Sequence, residues 1–60
     1  MPNITVQQMP KTTEQKRELV ARITDAFMDV YQAPAESVHV WFQEVSSEDY
    51  ASNGTLVADK

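Results

Sequence analysis

The residue best placed to do chemistry in this chain is Pro2, which follows Met1 directly and precedes the strand-like run Asn3-Ile4-Thr5-Val6-Gln7-Gln8-Met9. Initiator methionine is normally clipped when the next side chain is small, so the mature chain is expected to begin with a free prolyl amine. That group is a secondary amine on a rigid ring. Held at the mouth of a strand, it stays in one place, and a dry pocket or nearby cations would push its pKa toward neutrality by disfavouring the ammonium form. A base poised near working pH is what proton transfer needs. Position two by itself carries little weight, since about 5% of residues are proline anyway.

Other reactive types are scarce. There is no cysteine and one histidine, His39. Disulfides and thiolate sites are therefore excluded, and an imidazole-rich metal site is not expected. No serine-histidine-acid arrangement fits a single histidine on a strand. Glu48 and Asp49 are neighbours in a polar turn and read as solvated carboxylates rather than an acid-base pair.

A chain of 60 residues buries only about 60% of the surface exposed by its unfolded form, which leaves a lone domain marginal. Small domains in this position lean on disulfides, metals or oligomerisation. With the first two set aside, oligomerisation remains. The net charge is −4, with five Lys and Arg scattered along the chain, which argues against nucleic acid as a partner. No apolar run approaches the roughly 18 residues needed to span a bilayer, and no basic segment leads into an apolar one as in a secretory signal. The expectation is one cytoplasmic domain over residues 1–60, with no membrane partner.

The elements that must position Pro2 follow from the pattern. After the first strand, Thr12 and Gln15 have the T-x-x-Q spacing of a capping box, which starts a helix. Leu19, Ile23, Ala26, Phe27 and Val30 then form an apolar stripe at helical period. Glu14, Glu18, Arg22, Asp25 and Asp29 make a solvated opposite face, with Glu18 four residues before Arg22 in the favourable order. Ala33-Pro34 ends the helix, because the residue before proline is pushed out of the helical region. One further helical turn over Pro34-Ala35-Glu36-Ser37 is possible.

Val38-His39-Val40-Trp41-Phe42-Gln43-Glu44-Val45 is rich in β-branched and aromatic residues and reads as a second strand. Trp41 and Phe42 face opposite sides, so at most one meets the helix and the other is expected at a subunit contact. Strand, helix and strand make a βαβ unit with parallel strands and a right-handed crossover. Ser46 to Asp49 is a polar turn, and Asn53-Gly54 signals a small hairpin. The fold class is α+β: two parallel strands, one long helix and a C-terminal hairpin. The helix covers one sheet face, and parallel strands are nearly always buried on both sides. Other copies of the chain are expected to cover the second face.

Met1-Pro2, the βαβ unit, the helix opening Glu14-Gln15-Lys16 with Leu19-Val20 behind it, Ala33-Pro34 before Ser37-Val38, and the Asp49-Tyr50 to Gly54 hairpin together resemble the 4-oxalocrotonate tautomerase family. The resemblance spans essentially the whole chain. It implies a homohexamer built as a trimer of dimers, with Pro2 as catalytic base in keto-enol tautomerisation and with neither cofactor nor metal. Carried over by position, it implies substrate-binding roles for Lys11, His39 and Tyr50. Lys11 stands where the best-known members have an arginine gripping the far carboxylate of a dicarboxylate, though the loop ahead of it is one residue shorter here. His39 stands where they have a second arginine, supplied by a neighbouring subunit, at the keto-acid end. Tyr50 stands where they have a phenylalanine that keeps the pocket dry. Lysine keeps a cation but loses the fork that matches a carboxylate. Histidine keeps a donor without a permanent charge. Monocarboxylate enols such as phenylenolpyruvate thus come into view beside dicarboxylates.

The function implied is a 1,3-proton shift on a small 2-oxo, 2-hydroxydienoic or enolpyruvate-type carboxylic acid. Two alternatives remain. One is a superfamily hydratase or dehalogenase acting on a 3-haloacrylate, which wants paired arginines and a pocket acid where this chain has Ala51, Ser52 and Asn53. The other is a non-catalytic oligomeric binding module, favoured by the loss of both arginines.

Overall fold

The capping box forms as the spacing predicts. In the computed structural model, which describes residues 2–60, the Gln15 N–H donates to Thr12 Oγ1 at 3.1 Å and the Thr12 N–H donates to Gln15 Oε1 at 3.3 Å. Two of the first-turn donors that a helix leaves orphaned are thereby satisfied. Helix α1 runs Thr13–Tyr31. It stops at Gln32, whose φ of 55° is left-handed and whose N–H turns back to the Phe27 carbonyl, while the Gln32 side-chain amide donates to the Asp29 carbonyl at 3.0 Å. The extra turn before the second strand is present as a short 3₁₀ segment, Ala35–Ser37. Met1, and with it the expected processing of the N-terminus, lies outside the described residues.

Strands β1, Asn3–Gln8, and β2, His39–Glu44, pair in parallel, from Asn3 opposite His39 to Gln8 opposite Glu44. Strand parity sorts their side chains. Ile4, Val6, Val40 and Phe42 are half-buried on the helix side, whereas Asn3, Thr5, Gln7, Trp41 and Gln43 are exposed on the other. Of the two adjacent aromatics, Phe42 meets the helix, with the Lys16 ammonium 5.9 Å above its ring, and Trp41 remains 53% exposed on the open face. Two short strands, β3 at Ala51–Ser52 and β4 at Thr55–Leu56, form the antiparallel hairpin. Asn53 and Gly54 carry φ of 54° and 78° at its tip, the paired positive values that a tight primed turn requires.

The helix stripe differs from the pattern. Lys16, Val20, Ile23, Thr24 and Phe27 are the half-buried residues of α1, while Leu19, Ala26 and Val30 are exposed. A ribbon of two strands about 5 Å apart is narrower than a helix about 10 Å across, so α1 overhangs it and one apolar flank stays open. Among the described residues no side chain is buried within the single chain. The radius of gyration is 14.7 Å, with extents of 43 × 23 × 13 Å, against about 10 Å for a compact globule of this length. Among the described residues no helix is long and apolar enough to cross a membrane.

Candidate active site

Pro2 is tied to the sheet one residue before β1 begins. Its carbonyl accepts the His39 N–H at 3.0 Å, continuing the β1–β2 ladder to the proline itself. The ring is half-buried. Parallel register pairs His39, at the start of β2, with Asn3, the residue after the proline, and the imidazole stacks on Trp41 with centroids 5.9 Å apart and planes at 26°. An aromatic pair two residues apart on a strand shares one face, so the stack lies on the face the helix leaves bare.

The opposite end of the ladder closes with the Val45 N–H on the Gln8 carbonyl at 2.9 Å. The loop to the helix leaves from there, and Glu44, the last residue of β2, holds it. One carboxylate oxygen, Oε2, accepts the Lys11 N–H at 3.2 Å and the Lys16 ammonium at 2.9 Å. The Lys16 ammonium, then the Lys11 N–H, hold the Glu44 carboxyl below the usual carboxylate range. Lys11 lines a shallow groove with Gln8, Gln15, Lys16 and Leu19, and its own ammonium makes no ion pair among the described residues. Tyr50, 50% exposed, lines a second groove with Gln7, Gln8, Met9, Val45 and Asp49. Gln8 borders both, and its side-chain Nε2 is shielded from solvent without a hydrogen-bond partner.

The four sequence-predicted residues therefore fall into two pairs. Pro2 and His39 mark the beginning of the parallel strands, and Lys11 and Tyr50 mark their end. The six residues of β1 separate the pairs by about 20 Å at strand rise. Sequence reasoning missed Glu44. Its partners stand 33 and 28 residues away in the chain, so no local spacing announces the contact. Among the described residues no group of three His, Cys, Asp or Glu is gathered to hold a metal ion.

Residues 2–60 match the family model described as tautomerase enzyme. A probable tautomerase of Bacillus cereus is 36% identical over the full length of both chains. A 2-hydroxymuconate tautomerase of Bacillus subtilis is 35% identical, covering 98% of this chain and 97% of its own. Among solved structures, a 4-oxalocrotonate tautomerase homologue superposes with a TM-score of 0.93 at 34% identity, over 100% of this chain and 97% of that one. A heterohexamer 4-oxalocrotonate tautomerase from Chloroflexus aurantiacus J-10-fl gives 0.88 at 25% identity, over 98% and 97%.

Proposed function

The chain belongs to the tautomerase family of isomerase enzymes, and from that premise we propose that it catalyses a keto-enol 1,3-proton shift on a small enol or 2-oxo carboxylic acid with the Pro2 amine as general base. The observation that carries this reading is the pinning of Pro2: its carbonyl is held by His39 at 3.0 Å, so a freed amine would sit on a ring that cannot wander. Removal of Met1 is required, because an acylated proline nitrogen has no lone pair to offer.

In the proposed step the neutral amine takes the proton from the enol hydroxyl. The oxygen electron pair forms the carbonyl, the double bond shifts, and the protonated amine returns the proton to carbon. Atoms and charge balance without a co-reactant. Negative charge on the substrate oxygen is greatest between the two transfers, and a positioned donor there is worth about 3 kcal/mol. His39 is the proposed donor there, Lys11 the proposed grip on a second, remote carboxylate, and Tyr50 the proposed wall against water.

One chain cannot supply the whole site, since Pro2 and Lys11 stand at opposite ends of β1. We therefore place the site between copies, one giving Pro2 and another Lys11 and Tyr50. The bare face carrying the His39–Trp41 stack and the open flank of α1 support assembly, and the heterohexamer neighbour supports a hexamer.

The test is turnover of purified, processed protein on enol acids with one carboxylate, such as phenylenolpyruvate, and with two, such as 2-hydroxymuconate. Pro2→Ala is expected to lose about 10² to 10⁴ in rate with assembly intact. Full activity in that variant, or in protein retaining Met1, rejects Pro2 as the base.

A further inference from the structure

We propose that Glu44 is a positioning residue that sets Lys11 for the remote carboxylate of a dicarboxylate substrate, by holding the Lys11 N–H and occupying the Lys16 ammonium with the same oxygen. The inference rests on the reading of Lys11 as a substrate-gripping cation. The loop from Met9 to Thr12 has few anchors of its own. Pro10 has no N–H to donate, and the Thr12 N–H is taken by Gln15. The Lys11 N–H is thus the loop donor that reaches β2, and Glu44 receives it at 3.2 Å.

The second contact decides which cation faces the groove. Lys11 and Lys16 both line it, and a carboxylate entering an unguarded groove would meet two mobile ammonium groups. Lys16 is committed instead, 2.9 Å from Glu44 and 5.9 Å above the Phe42 ring. Lys11 keeps its ammonium for an anion, on a backbone that is fixed. Positioning and plain charge balance predict opposite results when Glu44 is removed: loss of a positioning contact weakens anion binding, whereas loss of a negative charge beside two cations strengthens it.

The experiment compares Glu44→Ala, Glu44→Gln, Lys11→Ala and Glu44→Ala with Lys11→Ala, using 2-hydroxymuconate and phenylenolpyruvate. Glu44→Ala should raise KM for the dicarboxylate by about three- to tenfold, the scale of one exposed hydrogen bond, with kcat and the monocarboxylate KM within about twofold. Glu44→Gln, which keeps an acceptor for the Lys11 N–H, should recover most of the difference, and Glu44→Ala should add nothing once Lys11 is alanine. Hydrogen exchange at the Lys11 amide should quicken in Glu44→Ala and not in Glu44→Gln. A lower or unchanged KM in Glu44→Ala, while Lys11→Ala raises it, overturns the Glu44 role and leaves Lys11 in place. If Lys11→Ala itself leaves the dicarboxylate KM unchanged, the grip and the positioning role fall together. Equal losses on both substrates, or an additive loss in the double variant, reduce Glu44 to a structural contact and overturn the proposal.

Discussion

Glu44 is the residue whose ionisation the fold most visibly favours. Its carboxyl is held down first by Lys16 and then by the Lys11 N–H, so its pKa is lower folded than unfolded. The stabilisation it brings is complete above the unfolded value and disappears as pH falls through the lower folded one. Thermal stability is accordingly expected to decline on acidification below the ordinary glutamate range, and Glu44→Gln should flatten that limb. Added salt should flatten it too, because the Lys16–Glu44 pair is partly exposed. A calorimetric pH series on both proteins checks the point. Pro2 could be singled out from the sequence as a candidate base because the chemistry proposed for it is that of one residue and its neighbour. Glu44 could not, because its effect exists only when a strand end, a loop and a helix turn meet.

At the scale of elements, the start of α1 rests on one reciprocal pair. Thr12→Ala removes the acceptor for the Gln15 N–H and should cost about 1 kcal/mol, read as a lower denaturation midpoint with unchanged helix content in the native state. The same cap shows what local spacing can reveal: Thr12 and Gln15 are three residues apart, and their contact follows from that. The Asn53-Gly54 turn is of this kind too, its two positive φ values matching a two-residue signal. The stripe of α1 was legible only in part. Ile23 and Phe27 face the sheet, but Val20 and Thr24 do so in place of Leu19 and Val30, since helical period marks which residues are apolar and the width of the sheet decides which are covered. The placement of Lys11 and Tyr50 far from Pro2 is likewise a matter of strand direction and length, which no motif spells out.

Taken whole, the molecule is a slab 13 Å thick whose apolar residues are at best half-covered. A chain with so little buried surface has too small a hydrophobic contribution to offset the ordering of 60 residues. Stability is then expected to depend on protomer concentration. Dilution is expected to lower the melting temperature, and folded monomer should not accumulate. Circular dichroism melts over a concentration series, paired with sedimentation, will show whether it does; a concentration-independent melt of a monomer contradicts the prediction.

The length of β1 also bears on genetics. Because six strand residues keep Pro2 and Lys11 apart, a defect at either position travels with a different wall of any site shared between chains. Two impaired alleles should then complement. Co-refolding Pro2→Ala protein with Lys11→Ala protein at equal amounts should rebuild about a quarter of the sites with both walls intact under random mixing. Activity on 2-hydroxymuconate well below KM should be higher in the mixture than in either parent refolded alone. A mixture no more active than its parents would mean that each site draws both residues from one chain.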